Sequence, residues 1–275
     1  MKDANPRGEA RLTAGTIAAP TALTMARLLG IRAGDITPFA RWLFSAPGSL
    51  AQLASAQPEG WGAAVFDGCT EAWWMERRAF GTAPAQSFAS ISPRLRGTVL
   101  IAHLRARTDI GSSSETTQPV KRDGWLLACD GTLEEIEFVR RSVSPSRLRE
   151  RADGSHAELL FAYLLTRLDA VPGNIDNALR AAVADLAANG AGTMTFVLSN
   201  GRSLYGYKGR PSLHVVEEVG GAPVAVIASE PLSDGPWRVL DDGSLVRAGP
   251  DLVFLVGEDP RSRWDERDIE LPFTD

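Results

Sequence analysis

The spacing of apolar residues predicts two long helices in the second half of the chain. Apolar positions recur every four residues from Leu160 to Leu168, and Ser155 followed three residues later by Glu158 forms a capping box. These features predict a helix that begins at Ser155. A second helix is predicted over residues 175–188, ending before an asparagine and a glycine that suit a helix C-terminus.

A third, shorter helix is predicted near the start of the core. Ile36, Phe39 and Leu43 fall at helical spacing, and Asp35 precedes them as a candidate N-cap. The stretch just before them, MARLLGI (25–31), suits a strand. Core structure is therefore expected to begin with that strand.

Apolar runs of strand length fill most of the remaining chain. Segments 60–68 and 71–78 predict a hairpin, and Asn200-Gly201 predicts a second one with a two-residue turn. Further strands are predicted over 97–108, 123–132 and 223–229, and around Trp237, Leu245 and Leu252. Because tight turns rather than helical crossovers join neighbouring strands, the pattern predicts an α+β layered fold with mainly antiparallel sheets.

Composition and charge limit the classes of partner. The chain has 275 residues, of which 44% are hydrophobic and 23% charged, and this suits one large globular domain or two small ones. Its formal charge of -5 lacks the basic surplus of proteins that bind nucleic acid or anionic membranes. No apolar run approaches the roughly 20 residues of a membrane helix. A small molecule or a protein is the expected partner, and a cytoplasmic location is expected.

The first 24 residues differ in texture from the rest of the chain. Residues 1–24 are rich in Ala, Thr, Gly and Pro and have no periodic apolar pattern, so they are expected to form a flexible leader before one domain over 25–275. The two cysteines, Cys69 and Cys129, are too few for a disulfide framework. Both are expected to be reduced thiols.

Common cofactor and hydrolase motifs are missing from the sequence. It contains no GxGxxG, GxxxxGK[ST], HExxH or GxSxG element. His103, His156 and His214 are scattered, and none has a second His or Cys at metal-ligand spacing. No cofactor and no metal are therefore expected.

Polar residues at the ends of two buried strands are candidate site residues. His103 and Arg105 share a strand face, where Arg105 could hold a carboxylate or the pair could serve the structure alone. Asp130-Gly131 could present a backbone N–H to an anion or form an ordinary turn. The arginines of 140–151 could bind a phosphate, but the acidic residues just before them favour a locally balanced, solvated segment.

Seven short segments carry a further signal when they are taken in order. They are ARLLG (26–30), PGSLAQLASAQPEGWG (47–62), AHLRART with the glycine at 111 (102–111), ETTQP (115–119), WLLACDGTL (125–133), SHAELLF (155–161) and ASEPL (228–232). Together they resemble the class II glutamine amidotransferases, above all the small stand-alone members that include γ-glutamyl amidohydrolases of thiol biosynthesis. The resemblance covers nearly all of 25–275 and implies an N-terminal-nucleophile hydrolase fold, a four-layer αββα sandwich of two antiparallel sheets.

The resemblance also implies a nucleophile at residue 26. Members of that family begin Met-Cys; once the methionine is removed, the thiol of the terminal cysteine attacks the glutamine side-chain amide and its free amine acts as the base. In this chain Ala26 follows Met25. Ala26 therefore occupies the position of a lost nucleophile.

Two further positions concern the carbonyl that would be attacked. By resemblance, Arg105 is the arginine that holds the α-carboxylate of the substrate, and Gly131 is the backbone donor of the oxyanion hole. Asp130 stands where the family has an asparagine, so a donor is exchanged for a carboxylate beside a developing negative charge. Loss of one such donor costs on the order of a hundredfold or more in rate.

The remaining site positions follow from the same resemblance. His156 stands where the family has the aspartate that holds the α-ammonium of the substrate, and an imidazole cannot replace that ion pair. Trp61, Gly62 and His103 are expected on the substrate side of the site. Together with Ala26 and Asp130, these positions are the candidate functional residues.

Two functions remain open at this point. The first is a catalytically inactive pseudoenzyme that keeps the fold and binds an amino-acid-like small molecule or a protein partner. The second is an active amidohydrolase that acts on glutamine or a γ-glutamyl-like amide with altered catalytic residues, in which His156 or Cys129 has a new role. A buried, inert thiol is the simpler interpretation of Cys129, because nothing near it in sequence would lower its pKa.

Overall fold

The computed structural model describes residues 26–53, 60–79, 94–105, 117–151, 154–218, 223–250 and 253–256. The predicted leader, residues 1–24, lies outside these ranges. So does the glycine at 111, which belonged to one of the seven segments.

The described strands form two sheets, and all the pairings between neighbouring strands are antiparallel. The strands are β1 (Arg27–Pro38), β2 (Gly60–Asp67), β3 (Ala72–Ala79), β4 (Arg96–Arg105), β5 (Val120–Arg122), β6 (Trp125–Asp130), β7 (Thr195–Ser199), β8 (Leu204–Tyr207), β9 (His214–Glu218), β10 (Val224–Ala228), β11 (Arg238–Val239), β12 (Leu245–Ala248) and β13 (Val253–Val256). The first sheet has the order β11-β9-β10-β1-β4-β2-β3 and the second the order β13-β12-β8-β7-β6-β5. The predicted antiparallel sheets are confirmed.

The two helices predicted with the clearest apolar period are both present. The helical segments are a π-helical turn (Arg41–Ser45), α1 (Leu50–Leu53), α2 (Ile136–Arg141), α3 (Pro145–Arg149), α4 (His156–Ala170) and α5 (Ile175–Ala188). The Ser155 hydroxyl accepts the N–H of Glu158 and caps α4, as the sequence predicted. Among the described helices, none is long and apolar enough to span a bilayer.

Three hydrophobic clusters separate the layers. The cluster between the sheets includes Ile101 from the first sheet and Ala128 from the second. A second cluster, which includes Leu160 of α4, lies between the second sheet and its helices. The third lies on the outer face of the first sheet, where Trp42 and Leu50 pack from the π-helical turn and α1. This is the predicted four-layer αββα arrangement, with the thinner helical layer on the first sheet.

The helix predicted after Asp35 is wrong. Strand β1 continues through this stretch and still pairs with β4 at Thr37 and Pro38, after an irregularity in register. The helical part is confined to the turn Arg41–Ser45. Cross-strand pairing with β4 prevails here over a helical spacing that only a few residues support.

The Asn200-Gly201 hairpin is confirmed, but its turn is longer than predicted. The last pair is Ser199 with Leu204, so four residues form the loop. The Asn200 side chain accepts two N–H groups within the loop, and Gly201 has φ +86 beside the Phe66 ring. The loop is therefore fixed by its own side chain and by a ring from the other sheet, a contact that local sequence does not reveal.

Candidate functional site

Three strands of the first sheet end side by side around residue 26. Arg27 pairs with Leu104 in the β1–β4 register, so the next residue back along the chain, Ala26, lies opposite Arg105. Arg105 pairs on its other side with Gly60 of β2. Ala26 is buried and Arg105 is half-buried. The sheet thus places the two positions beside each other.

The second sheet brings Asp130 to the same place. Asp130 is the last residue of β6 and is half-buried. Its Oδ1 accepts the N–H of Gly131 at 2.8 Å, and the backbone N–H of Ala26 lies close enough to lower the pKa of the same carboxyl. The last residue of β6 therefore lies beside the residue that precedes β1.

The N–H of Gly131, which the resemblance assigns to an oxyanion hole, already has an acceptor. Oδ1 of Asp130 takes this hydrogen bond. Gly131 has φ +95, a conformation that favours glycine. The turn after β6 is therefore closed by the Asp130 side chain, which accepts the N–H of the next residue.

Burial controls the ionisation of Asp130. Removal from water raises the pKa of its carboxyl above the ordinary value, while the N–H of Gly131, the charge of Arg27 and the N–H of Ala26 act in the opposite direction. The net shift is upward because burial is the largest of these influences. The carboxylate at this site is therefore held at a cost in stability.

We expect Asp130→Asn to increase the free energy of unfolding near neutral pH. Since the pKa is raised in the folded state, the unfolded chain loses the proton first as pH rises from the ordinary value of 3.8. The cost grows above that value, is complete above the raised pKa, and vanishes at lower pH. Urea unfolding of the variant and the parent at a series of pH values checks this. Asp35→Asn, an exposed carboxylate at the far part of β1, is the control, and a gain independent of pH would contradict the prediction.

His103 lies one step deeper than Arg105, on the face of β4 that points between the sheets. Its neighbour Ile101 on that face belongs to the inter-sheet cluster, whereas Leu104 belongs to the outer one. Burial, with a smaller contribution from Arg105, lowers the pKa of His103 to about 3. Neither ring nitrogen has a hydrogen-bond partner among the described residues. His103 is thus a neutral imidazole beneath the site.

Trp61 and Gly62 lie on opposite faces of β2. The Trp61 ring is fully buried in the outer cluster. Gly62 faces the second sheet so closely that an added Cβ would lie 2.0 Å from the carbonyl oxygen of Gln118. The Trp61 ring therefore faces away from the side that His103 faces, and Gly62 supplies the close approach between sheets.

His156 serves the structure through one of its nitrogens. It is the first residue of α4, and its Nδ1 accepts the backbone N–H of Leu133 at 3.2 Å. An imidazole that accepts at Nδ1 is left with a donor at Nε2 and no negative charge. The carboxylate nearest in α4, Glu158, forms an ion pair with Arg122 at 2.9 Å.

Cys129 points away from this site. Its side chain belongs to the cluster between the second sheet and the helices, whereas neighbouring Asp130 reaches Ala26. Burial and the adjacent Asp130 raise the pKa of the thiol. The side-chain amide of Gln118 accepts the backbone N–H of Cys129 at 2.6 Å and donates to its carbonyl at 3.0 Å. A new nucleophilic role for Cys129 is not supported.

The arginine-rich segment 140–151 is locally balanced. Arg147, which is buried, forms ion pairs with Asp123, Glu150 and Asp169. These contacts support the charge-balanced interpretation over a phosphate site, but Arg147 is buried among its acidic partners rather than solvated. Within the described ranges, no three His, Cys, Asp or Glu residues cluster closely enough to hold a metal ion.

Sequence reasoning missed one ion pair at the edge of the site. Arg27 Nε donates to Glu230 Oε1 at 2.7 Å, and the charge of Arg27 is felt by Asp130. Glu230 lies in the segment ASEPL, and Ser229 beside it accepts the N–H of Leu28. Both residues lie in segments that carry the family resemblance, Arg27 in ARLLG and Glu230 in ASEPL. The sequence did not show that they meet, because their contact depends on the pairing of β10 with β1.

The sequence of the chain is similar to that of one family and of several named proteins. The profile of a family described as "Glutamine amidotransferases class-II" matches residues 25–223. A protein named "Gamma-glutamyl-hercynylcysteine sulfoxide hydrolase" from Mycolicibacterium smegmatis is 31% identical over 195 residues, covering 68% of this chain and 76% of the relative. Its namesake from Mycobacterium tuberculosis (strain CDC 1551 / Oshkosh) is 28% identical over 204 residues, covering 73% and 79%.

Solved structures extend the likeness to the fold. A glutamine aminotransferase class-II domain protein from Silicibacter pomeroyi has a TM-score of 0.57 at 16% identity and covers 83% of this chain and 97% of its own. The glutamine phosphoribosylpyrophosphate amidotransferase of B. subtilis has a TM-score of 0.61 at 16% identity, covering 83% of this chain and 48% of its own. At such identities the likeness concerns the fold alone, and it confirms the predicted N-terminal-nucleophile hydrolase type.

Proposed function

The chain belongs to the class II glutamine amidotransferase family, and from this premise we propose that it is a catalytically inactive member that retains a binding site for a small amino-acid-like ligand. The family membership is carried by the match over residues 25–223. The inactivity and the ligand site are inferred from the residues around Ala26.

The observation that carries the proposal is the position of the Asp130 carboxylate. Its carboxylate accepts the N–H of Gly131 at 2.8 Å and lies beside the backbone N–H of Ala26. A tetrahedral intermediate would need the Gly131 donor for its own oxygen, and it would develop negative charge beside this carboxylate. Removal of one oxyanion donor costs on the order of a hundredfold to a thousandfold in rate. A competing anion adds repulsion to that loss.

The missing thiol supports the same conclusion. Ala26 ends in a methyl group, so the position opposite Arg105 offers nothing that can attack an amide carbon. The Cys129 thiol lies on the other side of the second sheet, among buried apolar side chains. Neither residue supplies a nucleophile for the reaction.

An active amidohydrolase is the second candidate. The observation that favours it is the 31% identity to the relative named "Gamma-glutamyl-hercynylcysteine sulfoxide hydrolase". An amide or γ-glutamyl-like substrate would then be cleaved with a different nucleophile or with activated water. The position of the Asp130 carboxylate weighs against this candidate, because the negative charge of the oxyanion would still develop beside it, at Gly131.

We expect no release of ammonia from glutamine and no hydrolysis of γ-glutamyl-p-nitroanilide by the purified full chain. Ammonia and glutamate are measured after long incubation at high protein concentration, with an active class II amidotransferase as the positive control. Release that rises in proportion to protein and co-elutes with it on gel filtration would refute inactivity. Cys129→Ser and His156→Ala would then show which candidate residue the activity requires.

A further inference from the structure

Strand β3 differs in length from the other strands that end the two sheets. Among the described strands, the sheet ends are β11, β3, β13 and β5. β11 has two residues, β13 has four and β5 has three, whereas β3 has eight. A long edge strand presents a row of main-chain N–H and C=O groups that can pair with another chain, and short edge strands avoid this. The edge of β3 is therefore a candidate interface.

We propose that β3 joins two copies of the chain, pairing antiparallel with β3 of the second copy about a two-fold axis at Met75. The two seven-stranded sheets then form one continuous sheet. Each copy contributes the same surface to this interface, as in most homodimers. The proposal concerns association of the chain and does not depend on its inactivity or on a ligand site.

The first half of β3 lacks the features that close a sheet edge. Natural edge strands are protected by prolines, bulges or charged side chains. β3 contains no proline and pairs with β2 in an unbroken register along its whole length. Residues 73–75, Trp-Trp-Met, are uncharged and only half-buried. Charged residues begin at Glu76, so the centre of the strand remains suited to pairing.

Contacts with the second sheet hold this edge in place. The indole N–H of Trp73 donates to the carbonyl oxygen of Gly124 at 2.8 Å. Arg77 Nη1 donates to the carbonyl oxygen of Thr117 at 3.2 Å. An edge that is already ordered loses little conformational freedom when a second strand pairs with it, so the entropic cost of association is reduced.

The charges along the edge favour a second copy as the partner. Glu71 and Glu76 are balanced by Arg77 and Arg78, so the edge is locally neutral although the whole chain has a formal charge of -5. Two such edges approach each other without the repulsion that the net charges of the chains would otherwise cause. A strongly charged peptide finds no excess of opposite charge along this strand.

The register of self-pairing follows from the same residues. Directly opposite residues of antiparallel strands share a face, so the two-fold axis passes through one residue that faces its own copy. Axes at Met75 and at Glu76 pair the longest stretch of the strand. The axis at Glu76 places two carboxylates opposite each other, which is destabilising. The axis at Met75 places Trp73 opposite Arg77 of the second copy, a pair suited to a cation–π contact.

Disulfide cross-linking tests the register. Chains with Ala72→Cys are mixed with chains with Arg78→Cys, both in a Cys69→Ser background, and both positions are exposed. The proposed register places residue 72 of one copy opposite residue 78 of the other, within the Cα separation that a disulfide spans. Mild oxidation is expected to cross-link the mixture and neither chain alone, because the two copies of residue 72 lie roughly 20 Å apart along the strands.

Sedimentation equilibrium of the full chain tests the association itself. The parent is expected to have twice the mass of the chain at micromolar concentration. Ala72→Arg is expected to weaken the dimer at least about tenfold, because it faces Arg78 of the second copy twice in each dimer. Adding Arg78→Glu to Ala72→Arg should restore the affinity. Val239→Arg is the matched control, since it adds the same charge to β11 at a side chain that is 63% exposed, and it should leave the dimer unchanged.

A parent chain that stays monomeric at high micromolar concentration would overturn this inference, and so would an Ala72→Arg variant that dimerises as tightly as the parent. Cross-linking of either single-cysteine chain as readily as the mixture would show another register or another surface, and it would also count against the proposal. None of these measurements involves glutamine, so their outcome is independent of the test of inactivity.

Discussion

A truncated chain that lacks residues 1–25 and carries Ala26→Cys is expected to remain inactive on glutamine until Asp130 is also changed to asparagine. The truncation and the substitution supply the terminal amine and the thiol on which the family's chemistry depends. They leave the Gly131 N–H bound to a carboxylate. Asp130→Asn removes the negative charge and adds an amide donor, so the doubly substituted chain is expected to release ammonia at least about a hundredfold faster than the chain with Ala26→Cys alone.

Ammonia and glutamate release measure this comparison, and Ala26→Ser in the same truncated chain is the control for the thiol. Asp130→Ala combined with Ala26→Cys adds a second control, since it removes the repulsive charge without adding the donor. Its rate should fall between the other two. If the truncated chain with Ala26→Cys and an intact Asp130 turned over glutamine as fast as the doubly substituted chain, residue 26 alone would account for the inactivity.

Arg122→Met is expected to lower the free energy of unfolding by roughly 3–5 kcal/mol, because it leaves the charged carboxylate of Glu158 buried without its partner. The two side chains are 2.9 Å apart and only 12% and 5% exposed. Arg122 also donates to the Glu150 carbonyl at 2.6 Å and lies 5.7 Å from the centre of the Phe161 ring. Urea unfolding monitored by tryptophan fluorescence measures the loss.

Two further variants test whether the loss of stability comes from an unpaired buried charge. Arg202→Met removes an ion pair with Glu71 whose members are 76% and 65% exposed, so it is expected to change the free energy of unfolding by less than about 1 kcal/mol. The double variant Arg122→Met, Glu158→Leu removes both buried charges and should recover much of the stability. A double variant no more stable than Arg122→Met would show that packing, rather than an unpaired charge, is responsible.

Local signals were sufficient for most of the fold. The apolar period and the Ser155 cap lie within α4 itself, and short turns join β2 to β3, β5 to β6 and β7 to β8, so neighbouring residues determine those elements. The helix expected after Asp35 failed for the opposite reason, since pairing with distant β4 decides the conformation there. Local spacing cannot report such a pairing.

The candidate site was only partly predictable. The sequence singled out Ala26, Asp130 and Arg105, and their proximity follows from the resemblance. It did not reveal that Asp130 lies beside the backbone N–H of Ala26, because that approach brings residues of the two sheets together. Alternation along β2 predicts that Trp61 and Gly62 lie on opposite faces of the strand. Which of the two faces the second sheet depends on how the sheets pack.

The Gln118 side chain affects how a peptide could meet this protein. Strand β5 pairs with β6 from Val120 onward, and continuing that register places Gln118 opposite Cys129. There the side-chain amide, rather than the main chain, takes the N–H and the carbonyl of Cys129. An incoming extended peptide would need those same two groups to lengthen the sheet. At this rung the edge of β6 is therefore closed to strand addition by a side chain of the protein itself.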